Sequence, residues 1–162
     1  MANQEVTFSE TEFIVSKTDL QSRITYGNSL FIKLSGYEEK ELLGKPHNIL
    51  RHSDMPKLVF KMLWENIQNG REIFAYVKNM TKDKDYYWVY AHVTPSYDDK
   101  GRVIGYHSVR RKPTSQALSV IIPLYQELIS AEKTGGVENS KKILEAKLQS
   151  KGVSYDEFIF TL

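Results

Sequence analysis

Residues 72–110 leave few folds open to this chain. Three strand-like stretches, Glu72 to Met80, Tyr86 to Tyr97 and Val103 to Arg110, are separated only by Lys82-Asp83-Lys84-Asp85 and Asp98-Asp99-Lys100-Gly101. Connections that short and polar join antiparallel neighbours, because parallel strands need a crossover of about a dozen residues or more. Upstream, Phe13-Ile14-Val15 and Ser22 to Tyr26 read as two more short strands around the turn signal Lys17-Thr18-Asp19, with Gly27 as a breaker. Helical patterns fill the space between the two groups. Asn28 caps a helix with Leu30, Phe31 and Leu34 on one face, and Ser35-Gly36 stops it. Tyr37 to Leu43 forms a second helix, ended by Gly44. Met55 to Asn69 forms a third, with Phe60, Leu63, Trp64 and Ile67 at helical spacing and Pro56 early in it. The expected fold is α+β: a five-stranded antiparallel sheet with helices over one face and a pocket between them.

Residues 114–162 change character. Ser119 reads as the cap of a helix running to Lys133, with Pro123 in its first turn, and Thr134-Gly135-Gly136 as its stop. A second helix carries Val137, Leu144 and Leu148 and ends at Gly152. Ser154 and Glu157 have capping-box spacing ahead of Phe158, Ile159, Phe160 and Leu162. The chain thus divides into a loose N-terminal arm over 1–12, a sheet domain over 13–112 and a C-terminal helical hairpin, for signalling or docking, over 113–162.

Composition removes several functions. There are no cysteines among the 162 residues, so disulfides, thiolate metal sites and cysteine nucleophiles are excluded. A net charge of +2 with no basic stripe argues against nucleic acid as the main partner. The longest apolar run, Val120 to Leu124, is far short of the roughly 18 residues of a membrane span, so no direct membrane insertion is expected. A polar, acidic start does not resemble a signal peptide, and the expected location is the cytoplasm. Glu38-Glu39 lie on an exposed helix face and no nucleophile–base constellation stands out, so the chain does not read as an enzyme.

The chemistry concentrates in Pro46-His47-Asn48-Ile49-Leu50-Arg51-His52-Ser53-Asp54-Met55-Pro56. A short interhelical loop with two histidines, an arginine and an aspartate reads either as a solvated connection, with Ser53 or Asp54 capping the next helix, or as a rim of donors around an anionic or aromatic ligand. Arg51 and His52 stand beside the start of the next helix, a favourable place for a phosphate group. Asn79 lies in mid-strand, where a buried amide needs partners. Trp64, on its helix face, reads as core before it reads as a cofactor wall, and Asp54 reads equally as a cap of the next helix or a ligand contact. His92 and His107 read as structural.

These residues also carry a family resemblance. Thr18-Asp19-Leu20-Gln21-Ser22, Ser35-Gly36-Tyr37, Pro46-His47-Asn48, Arg51-His52, Asp54-Met55-Pro56-Lys57, Trp64, Val77-Lys78-Asn79 and Tyr87-Trp88-Val89 follow in an order that resembles the flavin-binding PAS domains of aerotaxis receptors over residues 17–112. The whole chain is similar to short soluble energy-taxis proteins of the CetB type, which pair with a separate membrane transducer. The resemblance implies non-covalent FAD as a redox-sensing group. It implies FAD contacts at Arg51, His52, Asp54, Asn28, Trp64 and Asn79, with His47 bracing the loop and Phe74 as an aromatic wall where the family has tryptophan. Asp83-Lys84 replaces an Asn-Gly-like turn. The partners it implies are a membrane-bound chemotaxis transducer, which would bring the chain to the inner membrane, and a second copy of the chain. Two alternatives stay open: a haem-binding gas sensor with His52 or His47 as axial ligand, and a ligand-free interaction module. A flavin–cysteine adduct is excluded.

Overall fold

The computed structural model describes residues 3–162. Strands β1 (Ile14–Thr18), β2 (Ile24–Gly27), β3 (Ile73–Met80), β4 (Tyr86–Tyr97) and β5 (Val103–Arg111) form one sheet in the order β2-β1-β5-β4-β3. Every neighbouring pair is antiparallel. The first reversal falls at Asp19 to Arg23, with Lys17 and Thr18 still in β1. The Asp19 carboxylate accepts from the Gln21 and Arg23 backbone N–H groups at 3.0 and 2.9 Å and from Arg23 Nε at 2.8 Å. Asp98 closes the β4–β5 turn in the same way on Lys100 and Arg102.

The helices α1 (Ser29–Ser35), α2 (Glu39–Leu42) and α3 (Lys57–Gln68), with a 3-10 turn at His47–Leu50, cover one face of the sheet. Phe31, Leu42, Leu50 and Leu58 are fully buried beneath them against Ile14, Ile24 and Val89. Strand alternation then sorts the side chains. Ser16, Val77, Asn79, Ala91, Tyr106 and Arg110 point to the helices, and Phe74, Tyr76, Trp88, Tyr90 and His92 to the opposite face.

That opposite face is partly covered by the C-terminal hairpin. Helix α4 (Ser115–Lys151) is two helical limbs joined at Gly136, whose φ of 67° and ψ of −165° suit only glycine. Its limbs lie side by side, with Lys147 on Glu127 at 3.0 Å. The helix starts earlier than Ser119: Thr114 is the cap, its Oγ1 accepting from Ala117 N at 3.0 Å, because Ala117 is buried and belongs to the same apolar stripe as Ile121, Tyr125 and Leu128. Pro123 therefore lies inside the helix, not in its first turn. Helix α5 (Tyr155–Phe160) has the expected capping box.

Strand β3 is an edge, and its outer backbone groups are taken up by other elements. Lys78 N donates to Met55 Sδ at 3.2 Å, and the carbonyls of Tyr76 and Phe74 accept from the hydroxyls of Tyr125 at 2.6 Å and Tyr155 at 2.9 Å. The N-terminal arm is docked rather than loose from residue 3 onward. Val6 N donates to Tyr86 O, Tyr86 N donates to Gln4 O, and Phe8 is buried. Residues 1 and 2 lie outside the described residues. No helix among the described residues is long and apolar enough to cross a membrane.

Candidate functional site

Between the inner face of the sheet and the helices lies a cavity of about 310 Å³. Helix α3 supplies one wall, Phe60, Leu63, Trp64 and Ile67, the stripe that its helical spacing places on one side. The sheet supplies the other: Val77 and Asn79 from β3, Ala91 and Val93 from β4, Tyr106, Ser108 and Arg110 from β5, and Ser16 and Thr18 from β1. Trp64 meets Tyr106 edge-on at 5.7 Å. The exposed lining residues Gln21, Pro46, Asn48 and Arg51 mark the mouth. The volume is at the small end of ligand pockets, enough for a fused aromatic ring system and too little for a whole dinucleotide.

The polar groups sit at defined points. Arg110 is 4% exposed. Its Nη2 donates to Ser16 Oγ at 2.7 Å and its Nη1 to His47 Nε2 at 3.2 Å, and its guanidinium lies 5.1 Å from the Phe31 ring centre. Its Nε bonds to nothing, and no acidic side chain pairs with it among the described residues. Burial pushes Arg110 down to about 10, still well above neutrality. The cavity floor therefore carries a buried cation without a counter-charge, an arrangement that costs stability unless an electron-rich group completes it. Burial, with the Arg110 charge second, pushes His47 down to about 3. His47 is thus neutral, and its Nε2 accepts from Arg110 while Ser16 Oγ lies 3.1 Å away.

Asn79 is 4% exposed, and its Nδ2 has no partner. A buried unmet donor costs about 1–3 kcal/mol. The backbone of Arg51 bridges to that of Asn79, which ties the loop to β3. The Arg51 side chain stays exposed at the mouth, its guanidinium 3.8 Å from the centre of the Phe60 ring.

Of the residues singled out from the sequence, the cavity brings together Arg51, Asn79, Trp64 and His47. Four others stand outside its lining. Asn28 is used up structurally: its Oδ1 accepts from Phe31 N and Val15 N, and its Nδ2 donates to Phe13 O. His52 is buried with its Nδ1 accepting from Asp54 N, and Asp54 pairs with Lys78 at 2.9 Å. Lys78 holds the Asp54 carboxyl below its ordinary range, and burial pushes His52 down. Phe74 cannot wall the cavity, because it has the opposite strand parity to Asn79; it stacks on His92 at 4.1 Å and meets Phe160 at 5.0 Å on the other face. Arg110 and Ser16 were not singled out. The signal for Arg110 was available, since it shares parity with Tyr106 and Ser108 and a charge on that face of a central strand needs a reason.

A flavin ring, acceptor-rich along one edge, fits this donor set of Arg110 and Asn79 between apolar walls. The two candidate axial ligands for a porphyrin are otherwise engaged: His47 Nε2 is bonded by Arg110, and His52 stands outside the cavity lining with its Nδ1 accepting from Asp54 N.

Comparison with known proteins agrees with the fold. The chain is 37% identical over 152 residues to the aerotaxis receptor of Escherichia coli (strain K12), covering 94% of this chain and 29% of that protein. It is 25% identical over 146 residues to the biofilm dispersion protein BdlA of Pseudomonas aeruginosa, covering 89% of this chain and 33% of the other. It spans a third or less of the length of these relatives. Among solved structures it is similar to a light-oxygen-voltage domain studied with a flavin analogue, with a TM-score of 0.60 at 20% identity, covering 71% of this chain and 86% of that one. The blue-light photoreceptor Aureochrome1 LOV in its light state gives 0.59 at 22%, covering 71% and 91%. The family model for the PAS fold matches residues 24–110, more than half of the chain, and this chain belongs to that family.

Proposed function

We propose that this chain is a redox sensor for aerotaxis or energy taxis that holds FAD non-covalently in the cavity and reports its redox state to a separate membrane-bound chemotaxis transducer. The observation that carries the reading is the uncompensated Arg110 cation beside the unmet Asn79 amide in a ring-sized cavity. The identity to the aerotaxis receptor supports the signalling role.

Each side chain has a part. Arg110 donates to the electron-rich edge of the ring and gains the acceptor it lacks. Asn79 presents its amide to the same ring. Trp64, Phe60 and Val77 exclude water from the ring faces. Arg51, exposed at the mouth and without an acidic partner among the described residues, meets the pyrophosphate that the cavity cannot enclose. When bound, flavin supplies a group whose N5 changes from hydrogen-bond acceptor to donor on reduction. Asn79 answers from β3, the strand whose outer edge holds Tyr125 and Tyr155 of the hairpin, so the hairpin is the element placed to carry the change outward.

Titrating flavin-free protein with FAD and FMN, following flavin fluorescence, tests the assignment. Arg110→Met is the informative variant. Ser16 Oγ and His47 Nε2 are already 3.1 Å apart and can satisfy one another without the guanidinium. The flavin-free variant is expected to melt at the same temperature or higher, because a buried cation has been replaced by an apolar chain. FAD affinity is expected to fall about ten- to a hundredfold, the worth of one charged hydrogen bond. Unchanged FAD affinity in Arg110→Met, or FMN binding as tightly as FAD, contradicts the assignment.

A further inference from the structure

Beside Asn79, on the neighbouring strand, stands a group that is not among those lining the cavity. Tyr87 lies directly across the β3–β4 ladder from Asn79. It is 1% exposed and its hydroxyl makes no hydrogen bond. The Asn79 amide nitrogen is also buried and unbonded, and so is Arg110 Nε. Three wholly buried polar atoms without partners thus fall in one neighbourhood, and they are the only such side-chain atoms among the described residues. An apolar residue would fill the Tyr87 position without that cost.

We infer that Tyr87 is the positioning residue that lets the Asn79 amide present either its carbonyl oxygen or its NH₂ to the cavity. A side-chain amide has a donor end and an acceptor end. When it rotates by half a turn, the group behind it must exchange roles as well. A carboxylate only accepts and an ammonium only donates, so either would lock the amide one way. A hydroxyl does both and turns to suit. With NH₂ toward the cavity, Tyr87 O–H donates to Asn79 Oδ1. With the carbonyl toward the cavity, Asn79 Nδ2 donates to the Tyr87 oxygen. The hydroxyl keeps both roles only while protonated. Burial ensures this by pushing Tyr87 up, opposed in part by the Arg110 charge and the Asn79 amide beside it.

The inference rests on the flavin reading. A two-electron reductant, with a proton taken from water, converts N5 from acceptor to N5–H donor, and that is the exchange Asn79 must follow. The test uses the full chain loaded with FAD, reduced with dithionite, and read by oxidised-minus-reduced infrared difference spectra with isotope-labelled asparagine. In the wild type the Asn79 side-chain carbonyl band is expected to shift on reduction, identified by its loss in Asn79→Ala. Tyr87→Phe is expected to bind FAD within about threefold of wild type, since it removes no contact to the ring, and to lose that shift. An equal shift in Tyr87→Phe overturns the inference. Should Tyr87→Phe fail to fold, ring-labelled tyrosine in the wild type gives the second reading. A phenol C–O band must shift on reduction and stop shifting in Asn79→Ala, and a band indifferent to redox state overturns the inference. Failure of wild type to take up FAD at all overturns the flavin reading itself. Normal uptake with an immobile Asn79 band overturns only the role of Tyr87.

Discussion

His47 and Lys84 show how single residues bear the cost of this architecture. His47 is held neutral, pushed down to about 3 against about 6.5 in an unfolded chain. Between those values the unfolded chain binds the extra proton, so stability rises with pH there and is lost as pH falls. His47→Gln is expected to remove that part of the slope. In urea titrations, the drop in stability from pH 6.5 to 5 should be smaller than wild type by roughly 1–2 kcal/mol. Parallel slopes for the two proteins would mean that His47 is not closed off from water. Lys84 occupies the left-handed region at a φ of 68°, in the turn between β3 and β4. A side chain there costs about 1 kcal/mol relative to glycine. Lys84→Gly is therefore expected to raise stability by about that amount in the same titrations, and a loss of stability would show that the Lys84 side chain has a role of its own.

At the scale of elements, one carboxylate joins the hairpin to the cavity wall. Helix α3 starts at Pro56 without a side-chain cap of its own, and Glu132 of α4 accepts from Lys57 N at 2.8 Å and Leu58 N at 3.1 Å. Ser140 of the second limb donates to the same carboxylate at 2.8 Å. Glu132→Ala is expected to cost about 0.5–2 kcal/mol, as loss of a helix cap does, and to speed amide exchange at the start of α3 and at the α4 turn together. Exchange changing at one of them alone would deny the link. Gly136→Ala puts a methyl group on a backbone that only glycine adopts, with an expected loss of about 1–3 kcal/mol in thermal melts. The strands and most helices were legible in the sequence, because period two and period 3.6 are local signals. The start of α4 was not: Ser119 and Thr114 are both competent caps, and burial of Ala117 decides between them. The site was half legible. A loop motif names its residues but not their faces, so Arg51 and His47 were found together with His52 and Asp54, which turn away. Parity would have excluded Phe74 and admitted Arg110.

For the whole molecule, the hairpin is built into the same core as the sheet. Ile121, Leu128 and Ile159 are fully buried, and Tyr125 lies against Trp88 over the sheet. From the sequence alone, the 113–162 segment reads as a hairpin for signalling or docking. Its packing makes it a cover for β3, and on the proposed reading also the route by which a change at β3 leaves the domain. A chain ending at Pro113 is expected to expose Tyr76 and Trp88 and to leave the β3 carbonyls without their tyrosine donors. By gel filtration it should associate or aggregate more than the full chain does, and a truncated chain that elutes like the full one and still binds FAD would reduce the hairpin to an ornament of the fold. The central claim is that the cavity holds a redox-active flavin, and reductive titration of the purified full chain, followed by absorbance, tests it most directly. The account predicts oxidised-flavin bands that bleach on reduction, return in air, and release FAD on denaturation. A colourless protein that takes up no FAD on reconstitution, or one that shows a Soret band, would contradict it.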